Sequence, residues 1–286
     1  MKLLVFGKTG QIANELRSHN HKGLIIRSLG RDEADLSNPV SCSKSIFSEQ
    51  ADIVINLAAF TDVDRAESEE DLANVINAEA PTAMANAARI QGIPFIHVST
   101  DYVFDGEGEK PWQVHSPASP LSAYGRSKLK GEAGVRQSGA NYVIMRTSWV
   151  FSVFGSNFVK TMLKLSEMRD NLCIVSDQVG GPTAAADIAD ACLTIAKAFH
   201  SGQGVNGTFH FAGSPDISKA DFAREIFTQA GLKVVVNDIL TSAYPTNAKR
   251  PQNSRMDCYE IKSAFGIERP DWRRSLTTVL QDIKEI

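Results

Sequence analysis

No stretch of the chain comes near the roughly twenty consecutive apolar residues that a membrane helix requires. The opening apolar run, Leu3 to Phe6, ends at Gly7-Lys8 with no cleavage site behind it, which fits the start of a fold better than a secretory leader. An excess of one charge is missing too. The net charge over 286 residues is −3, which gives no electrostatic reason to expect nucleic acid or an anionic membrane as a partner. The four cysteines, Cys42, Cys173, Cys192 and Cys258, lie far apart and form no CxxC pair. They read as free thiols in a reducing compartment. The six histidines are equally scattered, and none stands at metal-ligand spacing from a cysteine or carboxylate. Repeats and low-complexity tracts are absent. A soluble, cytoplasmic protein is expected. Its 43% hydrophobic content is enough for a sizeable core, and its length suits one large domain with a smaller lobe.

What is present alternates between strand and helix. Leu3 to Phe6 suits a strand buried on both faces. Gly7-Lys8-Thr9-Gly10-Gln11-Ile12-Ala13 then makes a glycine turn into a helix, where unpaired first-turn N–H groups can hold a pyrophosphate. The spacing is G-x-x-G-x-x-A, not the G-x-G-x-x-G of the usual dinucleotide fingerprint. A second strand, 24–29, runs out into Gly30-Arg31, where an NAD-preferring site would carry an acidic residue. Arg31 is either a partner for a 2′-phosphate or a solvated loop arginine. Asp35 and Leu36 follow, placed to border an adenine. A third strand, 52–60, leaves through small residues, Ala58 and Ala59, that let a cofactor approach the backbone. An acidic, alanine-rich helical stretch, 62–91, leads to a fourth strand, 95–99, which delivers Thr100-Asp101-Tyr102 to the carboxyl edge. Residues 105–120 read as a loop of the functional or mobile kind. A helix carrying Tyr124 and Lys128 precedes a fifth strand, 142–146.

This alternation predicts an α/β fold built on a doubly wound parallel sheet. Residues 1–150 read as a dinucleotide-binding domain. Residues 151–286 read as a smaller α+β substrate lobe, some of whose segments return to the main sheet. Helices are expected at about 157–168, 184–200 and 218–230, with strands near 207–211 and 233–236. The basic, proline-broken stretch 244–255 is either suited to an anionic ligand or a solvated surface loop.

The chemistry centres on Tyr124-Gly125-Arg126-Ser127-Lys128. Residues four apart share a helix face. A phenol gives up its proton reluctantly at neutral pH, and an adjacent ammonium would favour the phenolate. The pair is a candidate acid/base couple, and Ser99 or Thr100 could hold a substrate oxygen against it.

The segments Ser99-Thr100-Asp101-Tyr102-Val103-Phe104, Arg146-Thr147-Ser148-Trp149-Val150, Asp177-Gln178, Gly181-Pro182-Thr183 and Arg250-Pro251-Gln252-Asn253-Ser254 add a more specific likeness. With them the chain resembles the dTDP-4-dehydrorhamnose reductase family of the extended short-chain dehydrogenase/reductase superfamily. The resemblance implies reduction of the keto group of a dTDP-linked 4-keto-6-deoxy sugar by NADPH or NADH. Tyr124 would be the proton donor, Lys128 would lower its pKa and hold the nicotinamide ribose, and Thr100 would bind the keto oxygen. Gly7, Thr9, Gly10, Gln11, Ile12, Arg31, Asp35, Leu36, Ala59, Phe60 and Thr61 would serve the dinucleotide. Asp101, Tyr102, Trp149, Asn157, Gln178 and Arg250 would face the sugar nucleotide, with Arg250 at the diphosphate. Some members hold a metal between subunits through glutamates. Glu15 matches one such position, but Ala186 stands at a second, so no metal is expected, and a monomer or weak homodimer is. Other readings are a related nucleotide-sugar reductase or epimerase, or a non-catalytic NADP-binding regulatory subunit.

Overall fold

The computed structural model describes residues 1–18 and 23–285. The apolar runs become strands because each residue finds a hydrophobic layer on its own side. In β1 (Lys2–Phe6), Leu4 and Phe6 enter one core and Leu3 and Val5 the other, all four fully buried. Helix α1 (Gln11–Ser18), β2 (Ile25–Leu29), α2 (Pro39–Glu49) and β3 (Ile53–Asn56) follow. Then come α3 (Ala80–Gln91), β4 (Phe95–Thr100), α4 (Ala123–Gln137) and β5 (Tyr142–Thr147). β3 and β5 divide as β1 does, Val54 and Ile144 facing one layer and Ile53, Ile55, Val143 and Met145 the other.

The remaining main elements are α5 (Phe158–Ser166), β6 (Asn171–Val175), α6 (Ala185–His200), β7 (Gly207–His210), α7 (Lys219–Ala230), β8 (Val235–Ile239), α8 (Tyr259–Phe265) and α9 (Trp272–Glu285). β7 returns to the main sheet, whose order is β7-β5-β4-β3-β1-β2 with every pair parallel. The chain steps outward from β1 to β2 and then back across β1 to β3. That reversal opens a crevice at the carboxyl ends of the strands, where ligands of such sheets sit. One face is covered by α2 and α3, which supply Ile46 and Met84. The other is covered by α1 and α6, which supply Leu16, Ile188 and Cys192. A third core, built on Phe151, Phe222 and Trp272, is formed by later segments of the chain.

Three expectations need correction. The stretch 62–91 is not one helix. It breaks into short turns at Val63–Ala66 and Glu70–Asn74 and a π-turn at Val75–Glu79 before α3 begins. The π-turn carries Asn77, which binds both backbone groups of Phe60 and donates to Ser127 Oγ; widened turns of this kind are frequent at functional sites. Residues 105–120 are packed, not mobile. Trp112 stacks on Phe104 at 4.7 Å and its indole N–H donates to Asn253 O, while Arg146 holds Val114 O. Lastly, the strand expected at 233–236 lies at Val235–Ile239, set there by its register against β6.

Candidate active site

α4 starts where Ser122 Oγ accepts the Gly125 N–H at 3.2 Å, an N-cap that leaves Tyr124 in the first turn. Gly125 is required by close packing: any Cβ there would overlap the Tyr102 carbonyl. The Tyr102 and Tyr124 rings meet edge to face, centroids 5.5 Å apart. One turn later Lys128 is only 2% exposed. Its Nζ donates to Val98 O at 2.8 Å and lies 3.3 Å from His97 Nε2. His97 Nδ1 faces Asn56 Nδ2 at 3.1 Å, and Asn56 Oδ1 accepts the Ala58 N–H at 3.1 Å.

Electrostatics depart from the sequence reading here. Burial pushes the Tyr124 phenol up to about 12, with a hydrogen bond to Thr100 acting the other way. Burial also brings Lys128 down to about 8, against the pull of Glu132. The lysine is not among the groups that move the phenol, and desolvation is the larger effect. A phenol kept protonated is the state a proton donor needs.

Of the two hydroxyls at the end of β4, only Thr100 is available to a substrate. Ser99 Oγ donates to buried Glu132 at 2.6 Å, and Glu132 is also held by Arg146 at 2.7 Å. Thr100 Oγ accepts the Tyr102 N–H at 3.2 Å and donates to Asp101 Oδ1 at 3.0 Å. Asp101 is buried, which raises its carboxyl above the ordinary range.

One cavity of about 800 Å³ collects Thr9, Gly10, Gln11, Ile12, Ala59, Thr61, Thr100, Asp101, Tyr102, Tyr124, Lys128, Trp149, Asn157 and Arg250. At its dinucleotide end a Cβ on Gly10 would meet no atom within 4 Å. The turn therefore presents bare backbone and the α1 N-terminus to the cavity, which fits a pyrophosphate. From the N-cap of α5, Asn157 Nδ2 donates to Gln11 Oε1 at 2.9 Å. Trp149 adopts a left-handed φ of 49°, uncommon for a bulky residue outside functional sites. Arg250 is held by Asp64 at 2.6 Å.

Six expected residues lie outside the lining. Gly7 forms the turn beneath it, its N–H donating to Leu29 O at 3.0 Å. The Arg31 side chain is 82% exposed, 3.9 Å from Asp35, and Asp35 accepts the Ser37 N–H. Leu36 and Phe60 are packed into the core. Gln178 donates to Thr241 Oγ at 3.2 Å. Glu15 accepts from Ser152 Oγ at 2.6 Å. Among the described residues, no three His, Cys, Asp or Glu side chains are arranged to hold a metal ion.

Sequence reasoning missed several contributors. Lys219 enters the cavity with Nζ 3.5 Å from the Trp149 ring centroid, and burial takes it down to about 7. Its only local signal was the Ser218-Lys219-Ala220-Asp221 helix start. Asp64, Asn56, His97 and Asn77 carried no signal at all, since their partners are distant in the chain.

A doubly wound sheet with a pyrophosphate turn, a Thr100 strand end and a Tyr-x-x-x-Lys helix at one edge defines an extended short-chain dehydrogenase/reductase. Comparison narrows this. The RmlD substrate binding domain family matches residues 1–285, and the chain belongs to that family. It is 43% identical to a dTDP-4-dehydrorhamnose reductase of Sinorhizobium fredii over 281 residues, covering 96% of this chain and 95% of the relative. A crystal structure of a dTDP-4-dehydrorhamnose reductase from Clostridium acetobutylicum superposes with a TM-score of 0.93 at 36% identity, covering 99% of this chain and all of the other. The Bacillus anthracis dTDP-4-dehydrorhamnose reductase, solved in complex with NADP, gives 0.91 at 31% identity, covering 98% of this chain and 99% of the other.

Proposed function

We propose that this chain reduces the 4-keto group of dTDP-6-deoxy-L-lyxo-4-hexulose to give dTDP-L-rhamnose, using NADPH or NADH. The observation that carries this reading is the single cavity joining the Gly10-Gln11-Ile12 turn to Tyr124, Thr100 and Arg250. The dinucleotide, bound along Thr9 to Ile12, Ala59 and Thr61, supplies the hydride. The chain's own side chains manage charge and protons. As the carbonyl is reduced, negative charge develops on its oxygen, and donors fixed there stabilise it. Tyr124 hands over its phenolic proton, and the Thr100 hydroxyl turns from Asp101 to donate to the same oxygen. Lys128 holds the dinucleotide's ribose and returns a proton to Tyr124. Trp149 and Tyr102 wall the sugar, Asp101 and Asn157 bind its hydroxyls, and Arg250 meets the diphosphate. A guanidinium suits that role because its planar fork matches phosphate oxygens. Adding the 4-keto sugar nucleotide with each reduced dinucleotide and following nicotinamide absorbance tests the reading. Oxidation of neither would sink it.

A further inference from the structure

The hydrogen bonds around Lys128 do not balance if its amine is a permanent ammonium. The Ala58 N–H can only donate, and Asn56 Oδ1 accepts it. That fixes the amide so that Nδ2, also only a donor, points at His97 Nδ1. Nδ1 therefore carries no proton, and a neutral imidazole keeps its proton on Nε2. Burial, with Lys128 alongside, holds His97 well below its ordinary range, so the neutral ring is the right species. Nε2–H then faces Lys128 Nζ at 3.3 Å. An ammonium has three donors and no lone pair, and it meets that N–H donor to donor. A neutral amine accepts it and still donates to Val98 O.

We propose that Asn56 and His97 are positioning residues that bias Lys128 toward its neutral amine. Its use in turnover rests on the reading above. Tyr124 loses one proton for each carbonyl reduced, the Lys128 ammonium returns one to the phenolate, and the proton the reduction consumes enters from the medium to restore the ammonium. Against Lys128 stand His97 on β4, itself held by the neutral Asn56 on β3, and Glu132 on its own helix, while Tyr124 lines the same cavity. Only Glu132 favours the ammonium, and its carboxylate is shared with Ser99, Arg136 and Arg146. Burial, opposed by Glu132, brings the amine down to about 8, the range enzymes use for a group that exchanges protons.

The test is the Lys128 titration itself, read by NMR of protein carrying 13C-labelled lysine, with the signal assigned through Lys128→Met. Asn56→Asp reverses the chain: a carboxylate accepts both the Ala58 N–H and a His97 Nδ1–H, which turns Nε2 into an acceptor for an ammonium. Proton binding at Lys128 is expected to tighten at least about tenfold. An unchanged or weakened midpoint overturns the proposal. So does an equal shift in Asn56→Asp/His97→Phe, which would reveal charge acting through space. A second measurement needs no substitution. Above the Lys128 midpoint, the ring 15N shifts of His97 should show Nε2–H, and an Nδ1–H tautomer overturns the assignment. Neither measurement depends on turnover, so a failure to reduce the sugar nucleotide would remove the functional reading and leave these results standing.

Discussion

Tyr124 keeps its proton because burial disfavours the phenolate, and that makes it a donor awaiting a carbonyl oxygen. Tyr124→Phe removes the proton and little else. Turnover should fall by about 10²–10⁴, the usual worth of a positioned general acid, while dinucleotide affinity, read by fluorescence titration, stays within error. A second residue-scale prediction concerns Lys219, which faces Asp101, Arg250 and the rings of Trp149 and Phe158. Its amine is protonated below about pH 7 and loses its charge as pH rises through that value. A cation in the cavity favours an anionic diphosphate, so the KM for the sugar nucleotide should rise with pH across this window. In Lys219→Met that dependence should flatten. A KM that falls with pH in the native enzyme would contradict the assignment. The Tyr-x-x-x-Lys pair and Thr100 were legible in the sequence because helix spacing and strand order suffice to bring them together. The direction of the Tyr124 shift was not, since it turns on desolvation, which only the packed surroundings reveal.

At the scale of the element, α4 lies against the Asp101-Tyr102 turn, with Gly125 at the point of contact. Gly125→Ala would drive a methyl into the Tyr102 carbonyl, and overpacking of that kind costs about 1–3 kcal/mol. Because the displaced helix carries Tyr124, catalysis should suffer beyond what stability predicts. The expected result is a kcat reduced at least about tenfold at a temperature where circular dichroism still shows the fold intact. The strands were readable for a simple reason. A run such as Leu3 to Phe6 has no polar face to offer water, so it must lie inside a covered parallel sheet. The broken helix across 63–79 was not readable. Its π-turn exists to aim Asn77 at Phe60 and Ser127, and these partners are set by tertiary contact. Arg31 and Asp35 illustrate the opposite error, residues of suitable chemistry that the fold leaves at the surface.

For the molecule as a whole, the Glu132–Arg146 pair ties α4 to β5 inside the first domain. Burial alone would raise the Glu132 carboxyl, but Arg146, Ser99 and Arg136 outweigh it and hold it below its ordinary value. A depressed carboxyl stabilises the fold at pH above its unfolded value. That stability is lost as pH falls through the folded one, so acid unfolding should draw on this group. Glu132→Gln strands a buried guanidinium and should cost about 3–5 kcal/mol, seen as a lowered Tm at neutral pH. In the native protein Tm should drop on acidification, and this variant should lose part of that dependence. The return of β7 to the edge of the main sheet, beside β5, could be suggested by a linear reading of residues 151–286, but its register could not.

The bond from Asn157 to Gln11 has a thermodynamic corollary. It joins the first residue of α1 to the N-cap of α5, so one side-chain bond spans the cavity they both line. Linkage then requires that whatever factor a bound dinucleotide lends to sugar-nucleotide affinity be returned, undiminished, in the reverse direction. Closing the thermodynamic square by calorimetry, in the native protein and in Asn157→Ala, would show whether that factor shrinks once the bridge is cut.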